Sequence, residues 1–539
     1  MFANRHGLSS LLKEGGKVLS GVEEVALKNI EACRYLSTIT QTSLGPNSMN
    51  KLIVNRLEKR FVTSDAAVMI SELEVEHPAA KLLIQAAKMQ ENEFGDFTNF
   101  VLTFGGELLN QAEALIKQGL HTADISKGYE TAITKCLEYL NEASCWEIKD
   151  VRNPVAICEA IKPVIASKQG STDGKIFQLV AETVALVLPP NLKDFNTENI
   201  RVAQLIGGSI DMSYSINGMV ILRDSEGNIK KKKNPKVLIL SCGLEITGTE
   251  ATSTVLLKNA QELLDFTKGE EHQMETLISG IQQAGVGVII SNGAISEIAQ
   301  HYCNKYDILT LRVPSKHEIR RLCRSLGAVA LVRLGVPLPE EIGVAESVEV
   351  QEIASKKVTV IRAKDSRVGT IVLRGATKNV LDEVERAIDD SISCVKSFLN
   401  DPKFVAGAGA IEIHLAHKLQ ELGSNIPGLD QYAVLKFATA LECIPKIIAS
   451  NAGYNPTEAI TKLYAAHQQG EITTGINITG PSMILDAKTE GIFDHKETKF
   501  WAIKLAVDAV LTILRVDQIL MAKPAGGPAP PAPGAPDLD

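Results

Sequence analysis

The sequence predicts a multi-domain protein of α and α/β class, in which a helical domain is interrupted by an α/β unit and then resumes. Three observations carry that reading. At 539 residues the chain exceeds what one hydrophobic core serves, so two to four domains are expected. Apolar residues recur at helical spacing in the first third and again from Asp401 onward. Between them lie short Val/Ile/Leu runs at 236–242, 286–291, 308–313 and 357–362, separated by helical segments. That alternation is the pattern of an α/β unit.

Residues 22–42 form a long amphipathic stretch that stops at Gly45-Pro46. Two β-type runs, 51–55 and 61–63, flank a charged turn and read as a hairpin. His77-Pro78-Ala79-Ala80-Lys81 opens a helix with proline in its first turn. After residues 95–99 a further helix is expected to run to Lys117. The basic run Lys230-Lys231-Lys232-Lys233, followed by Asn234-Pro235, reads as a solvated turn rather than a nucleic-acid patch. The last helix is placed at 499–520. Residues 523–539 are rich in Pro, Ala and Gly, cannot bury a core, and read as a disordered tail.

Composition excludes several functions. The chain is 45% hydrophobic and 22% charged, ordinary values for a globular protein. A net charge of −8 argues against nonspecific nucleic-acid binding. No apolar segment reaches the length of a membrane span or of a secretory signal. Neither nucleic acid nor membrane is therefore expected as a partner. Nine scattered cysteines form no Cys-x-x-Cys pair, which fits a reducing, cytosolic setting. Aromatics make up only 5%, which argues against an aromatic-lined sugar or base groove.

Chemistry is suggested by two segments at the edges of expected helices, Thr42-Ser43-Leu44-Gly45-Pro46 and Gly95-Asp96-Phe97-Thr98-Asn99. Small residues before a helix start leave backbone N–H groups free for an anion. An aspartate in such a loop can hold a divalent metal beside a phosphate. Thr63-Ser64-Asp65 adds a third acidic segment, so the three point to a nucleotide site built from dispersed parts. A P-loop, a Gly-x-Ser-x-Gly elbow and a His-Glu-x-x-His motif are all absent. Asp65, Asp96, Asp390 and Asp494 form an inventory suited to metal-assisted phosphoryl transfer. Helix capping is the ordinary role of any one of them, and periodicity leaves both readings open.

The segments 42–46, 63–67, 77–81, 95–99, 405–410, 491–494 and 513–517 together resemble, in order, those of group II chaperonins. These are subunits of the double-ring protein-folding machine of archaeal and eukaryotic cytosol. Asn99 after the loop threonine, Leu514-Arg515-Val516-Asp517-Gln518, and residues 521–528 most resemble one subunit type of the eukaryotic complex. The resemblance implies a mostly helical equatorial domain (1–145 and 404–522), an intermediate hinge domain (146–216 and 369–403) and an α/β apical domain (217–368). It places a helical lid protrusion at 247–253 and 255–267.

It also implies ATP and Mg²⁺ as ligands, paralogous subunits of a double ring as partners, and unfolded or nascent proteins as clients. Residue by residue, Leu44 and Gly45 would hold phosphates and Asp96 would ligate Mg²⁺. Phe97, Thr98, Asn99 and Phe100 would line the phosphate side. Asp65 and Asp390 would orient or deprotonate the attacking water, and Lys168 would sense the γ-phosphate. Gly407 and Ala408 would approach the nucleoside, and Asp494 would accept from ribose hydroxyls.

Several positions depart from the family pattern. The second glycine of its Gly-Asp-Gly-Thr is Phe97 here, and Val405-Ala406-Gly407-Ala408-Gly409-Ala410 replaces Val-Pro-Gly-Gly-Gly-Ala. Ser64 replaces asparagine, and Ser48 and Ala66 replace glycines. A side chain penalises the positive φ and close phosphate approach that glycine permits. The expectation is retained nucleotide binding with slowed ATP hydrolysis. Two rivals stand beside a folding ATPase: a structural ring subunit that turns over little, and a stand-alone metal-dependent phosphotransferase.

Overall fold

Helices from both ends of the chain pack into one core. A computed structural model describes residues 17–20, 22–169, 174–245, 260–354, 356–364, 366–480 and 482–521. Within it, Val22–Gln41, Pro78–Phe94, Thr98–Lys117 and Thr122–Glu142 bury their apolar stripes against Ala410–Asn425, Asp430–Leu441 and Lys496–Leu514. Residues as far apart in sequence as Ile30, Phe104, Phe437 and Val507 are fully buried there. The first helical run is thus completed by the last, as an interrupted helical domain requires.

Local signals account for the boundaries. Pro78 occupies the first turn of Pro78–Phe94, where a missing N–H costs nothing. Gly95 ends that helix in the left-handed region at φ 75°, its N–H donating to the Glu91 carbonyl at 2.9 Å. The strands Lys51–Val54 and Arg60–Thr63 pair antiparallel, as the hairpin reading required.

The middle of the chain forms two sheets. Lys236–Leu240, Val286–Ser291 and Leu309–Arg312 pair in parallel, with Ala330–Leu331 parallel and Gly343–Val344 antiparallel on the Lys236–Leu240 edge. Alternate residues of these strands face opposite ways. Val237, Ile239, Val288 and Ile290 enter one apolar cluster, and Leu238, Leu240 and Ile289 another beneath Ala260–Gln283. A sheet buried on both faces is what continuous Val/Ile/Leu runs predict. Lys356–Arg362 departs from expectation: it sits in a six-stranded sheet, antiparallel to Tyr214–Ile221 and Ser347–Ile353. In that sheet Gly369–Gly375 pairs in parallel with Ile200–Ile206.

Other readings are corrected. Lys231–Lys233 is a strand on the edge of Ser347–Ile353 rather than a turn. Two of its three charges are paired, Lys231 with Glu349 at 2.8 Å and Lys232 with Asp307. The last helix is Lys496–Leu514, and Gln518–Met521 leaves it as a strand antiparallel to Lys17–Ser20. Asp494 lies in the strand Phe493–His495, directly before that helix. That strand joins Lys403–Ala406 and Trp146–Glu147 in a small sheet where the chain leaves and re-enters the helical body. The expected lid segment 247–253, the start of 255–267, and the tail 523–539 fall outside the described residues; from Ala260 the chain is helical.

Candidate functional site

A cavity of about 620 Å³ opens between the helical body and the helix Pro154–Gln169. That volume suits a ligand of nucleotide size. Leu44, Gly45, Asp65, Asp96, Phe97, Thr98, Asn99, Phe100, Lys168, Ala408 and Asp494 all line it. Asp390 and Gly407 do not. A larger and more open cleft, about 1250 Å³, lies between residues 187–199 and 323–328 and contains none of the expected site residues. Size therefore does not mark the site; converging chemistry does.

Each wall is placed by a local device. Asn451 Nδ2 donates to the Leu44 carbonyl at 2.9 Å, and Ser43 Oγ to that of Met49 at 2.9 Å, fixing the turn in which Gly45 has φ 87°. Asp65 caps Ala66–Glu72, accepting from Ala67 N–H at 3.2 Å. The capping and functional readings of Asp65 are thus compatible. Thr98–Lys117 and Ala410–Asn425 begin at Phe97 and Gly409 without a side-chain cap. Their first-turn N–H groups are left for a ligand.

Phe97 takes φ 66° and Ala408 φ 56°, so both adopt the left-handed backbone that glycine enters most readily. Such a conformation costs a side-chain-bearing residue about 1–2 kcal/mol. Ala408 is accommodated because Gly475 faces it: a Cβ on Gly475 would stand 2.8 Å from that of Ala408. The Phe97 ring meets Phe100 edge-on, with centroids 6.0 Å apart. The Phe97 N–H donates to Asp96 Oδ1 at 2.7 Å. Thr98 Oγ1 donates to Glu91 at 2.6 Å and Asn99 Nδ2 to the Thr40 carbonyl at 3.1 Å, so both polar ends are turned into the protein. These two residues can offer the cavity their backbones.

Charge is concentrated on two lysines. Lys168 contacts Asp390 and stands 3.3 Å from Asp65. Asp390, buried on Lys378–Phe398, therefore sits behind Lys168 rather than on the cavity wall. Lys499 is paired with Asp494 at 2.9 Å and Glu412 at 2.5 Å. Burial pushes the Asp96 carboxyl above its usual range, opposed by Lys168 and the Phe97 N–H and reinforced by Asp494. Burial likewise raises Glu91, against Lys168 and the Thr98 hydroxyl.

Gly95 makes the assembly possible. A Cβ there would lie 2.6 Å from that of Ser393 and 3.4 Å from the Asp390 Cα, so only glycine lets the Asp390 helix lie against the Asp96 loop. Gly407 is set back from the cavity, yet a Cβ on it would stand 3.2 Å from Asp494 Oδ1. Its bareness keeps that oxygen clear.

The model of the TCP-1/cpn60 chaperonin family matches residues 36–524. The chain belongs to this chaperonin family. It is 47% identical over 528 residues to the probable T-complex protein 1 subunit theta of Schizosaccharomyces pombe, covering 97% of this chain and 96% of that one. It is 44% identical over 527 residues to the theta subunit of Arabidopsis thaliana (97% and 96%). To that of Homo sapiens it is 43% identical over 536 residues (99% and 97%). The expected chaperonin fold and a chaperone subunit's function follow, and the phosphotransferase reading is set aside.

Sequence reasoning did not single out Lys499 and Glu412, charged residues that are both buried. The signal was present: Lys499 shares a helix face with Ala502, Ile503 and Ala506, all buried. Among the described residues no helix is long and apolar enough to cross a membrane.

Proposed function

We propose that this chaperonin works as an ATP-dependent folding subunit of a cytosolic hetero-oligomeric double ring, with paralogous subunits as neighbours and unfolded proteins as clients. The carrying observation is the convergence of Leu44, Asp65, Asp96, Lys168 and Asp494, from separate elements, on one cavity of nucleotide size. Domain limits are read as 1–145 and 404–522 equatorial, 146–216 and 369–403 intermediate, and 217–368 apical.

Asp96 is the residue fitted to Mg²⁺. Among the described residues no group of three or more ligating side chains occurs, and Mg²⁺ in nucleotide sites takes one or two carboxylates with phosphates and water. The ion would neutralise charge on the phosphate oxygens. Gly45 and the uncapped first turn at Thr98–Phe100 offer N–H donors to phosphates, while the Leu44 N–H is held by the Gln41 carbonyl at 3.2 Å and the Phe97 N–H by Asp96. Asp494 accepts from ribose, beside Gly407 and Ala408. Asp65 and Asp390 hold and deprotonate water once Lys168 turns from them to the γ-phosphate. Lys168 and Asp390 belong to the intermediate segments, so that exchange rotates the hinge and lowers the lid.

The subunit that turns over little is the weaker reading. Positive φ at Phe97 and Ala408 supports a backbone competent for hydrolysis. Native mass spectrometry of the purified assembly, with 8-azido-ATP labelling resolved by chain, tests the proposal. A small oligomer or an unlabelled chain would overturn it.

A further inference from the structure

The roles assigned above leave Lys499 unused. Its side chain is 2% exposed, on a helix face otherwise apolar. A cation buried this deeply needs partners that offset its desolvation. Nζ lies 2.9 Å from Asp494 Oδ2 and 2.5 Å from Glu412 Oε1. It also stands 4.4 Å from the ring centre of Phe97 and 5.0 Å from that of Phe100. Burial opposes its charge, but Asp494 and Glu412 outweigh burial and hold the ammonium protonated.

We propose that Lys499 is a positioning residue that sets the ribose selectivity of the nucleotide cavity. It ties down Asp494 Oδ2 and anchors the Phe97 ring. Oδ1 of Asp494 is left beside the bare Gly407, where a Cβ would crowd it at 3.2 Å. A carboxylate with one oxygen held and one free accepts from vicinal hydroxyl donors in a single orientation. A sugar lacking those donors leaves Oδ1 unpaired, which such a site rejects. Glu412 pairs with the same ammonium through Oε1 at 2.5 Å, so it competes with Asp494 for Lys499. The inference rests on the nucleotide reading of this cavity.

The test uses the assembled native complex and 8-azido-ATP labelling of this chain, competed by ATP or by 2′,3′-dideoxy-ATP. The wild type is expected to favour ATP by about tenfold, and Lys499→Met to reduce that preference below about threefold. The double variant Lys499→Met/Asp494→Asn is expected to match Asp494→Asn alone, because the two residues act as a unit. A merely structural lysine would weaken both competitors equally; that result, or an absent ribose preference in the wild type, overturns the inference. A wild-type chain that takes no label overturns the nucleotide reading instead. If Lys499→Met fails to assemble, Glu412→Gln carries the test. Freed from its competitor, Lys499 should raise the ATP preference at least about twofold, and an unchanged or lower preference overturns the inference.

Discussion

Lys168 and Asp390 form a buried ion pair between two helices, Pro154–Gln169 and Lys378–Phe398, that flank the central sheets in sequence. Asp65, from the helical body, is the second partner of the same ammonium. Three segments that meet nowhere in sequence are thereby joined at one nitrogen. The arrangement keeps Asp390 off the cavity wall, so its exposure depends on where Lys168 points.

That geometry separates two aspartates by role. Asp390 touches no part of the cavity surface, so Asp390→Ala should leave nucleotide affinity within about threefold while slowing hydrolysis about 10²–10⁴-fold. Asp96 lines the wall, and Asp96→Ala should weaken Mg²⁺-dependent nucleotide binding itself. Chain-resolved labelling and single-turnover hydrolysis would distinguish them. The reverse pattern would refute the assignment.

The helical body and the loop turns could be read from local signals, because each is written within a few residues: Pro78 at a first turn, Gly95 at a left-handed cap, Asp65 at an N-cap. Sheet membership could not. Lys356–Arg362 and Lys236–Leu240 both read as short apolar β-type runs, and only partners distant in sequence assign them to different sheets. Lys231–Lys233 read as a turn because a lysine run looks polar, yet it pairs with Ser347–Ile353 as a largely exposed sheet edge. In the site, the carboxylates were visible as residue types. Which of them faces the cavity depends on Lys168 and Lys499, side-chain geometry that no spacing encodes.

Gly95→Ala tests whether the Asp390 helix must lie against the Asp96 loop. The new Cβ meets that of Ser393 at 2.6 Å in a backbone conformation with φ 75°. Strain and overpacking together should cost about 2–5 kcal/mol. Thermal unfolding should report the loss, and hydrolysis should fall with it. Adding Ser393→Gly removes the clash but not the strain, so it should restore part of the stability. Strict additivity of the two changes would exclude the proposed contact.

A third prediction concerns pH. Burial, then the neighbouring His467, Lys418 and His417, hold the His414 imidazole down to about 4 from an ordinary 6.5, with Glu421 opposing. Between those values the unfolded chain binds a proton that the folded chain refuses. Stability therefore falls as pH drops from about 6.5 toward 4 and rises with pH across that window. His414→Leu should flatten the dependence without abolishing it, because burial also lowers His467. Unfolding midpoints measured across the window would check this, and an unaltered slope would refute it.

Phe97→Gly is the sharpest test of the cavity. From sequence alone, removing the ring should accelerate hydrolysis, since a side chain penalises the positive φ and close phosphate approach that glycine permits. The geometry predicts otherwise. Phe97 already holds φ 66°, its N–H already reaches Asp96 at 2.7 Å, and its ring packs on Phe100 and Lys499. Hydrolysis by this subunit, isolated by silencing its neighbours' catalytic aspartates, should therefore stay within about threefold, since no preorganised donor is gained or lost. Stability should fall. Losing the half-buried ring removes part of the about 1.5–3 kcal/mol that full burial of such a side chain contributes, and about 0.5–2 kcal/mol of lysine–ring attraction. Relief of the left-handed strain returns only about 1–2 kcal/mol. A clear rate increase in Phe97→Gly, with unchanged stability, would mean that the ring obstructs the phosphates rather than supporting the loop.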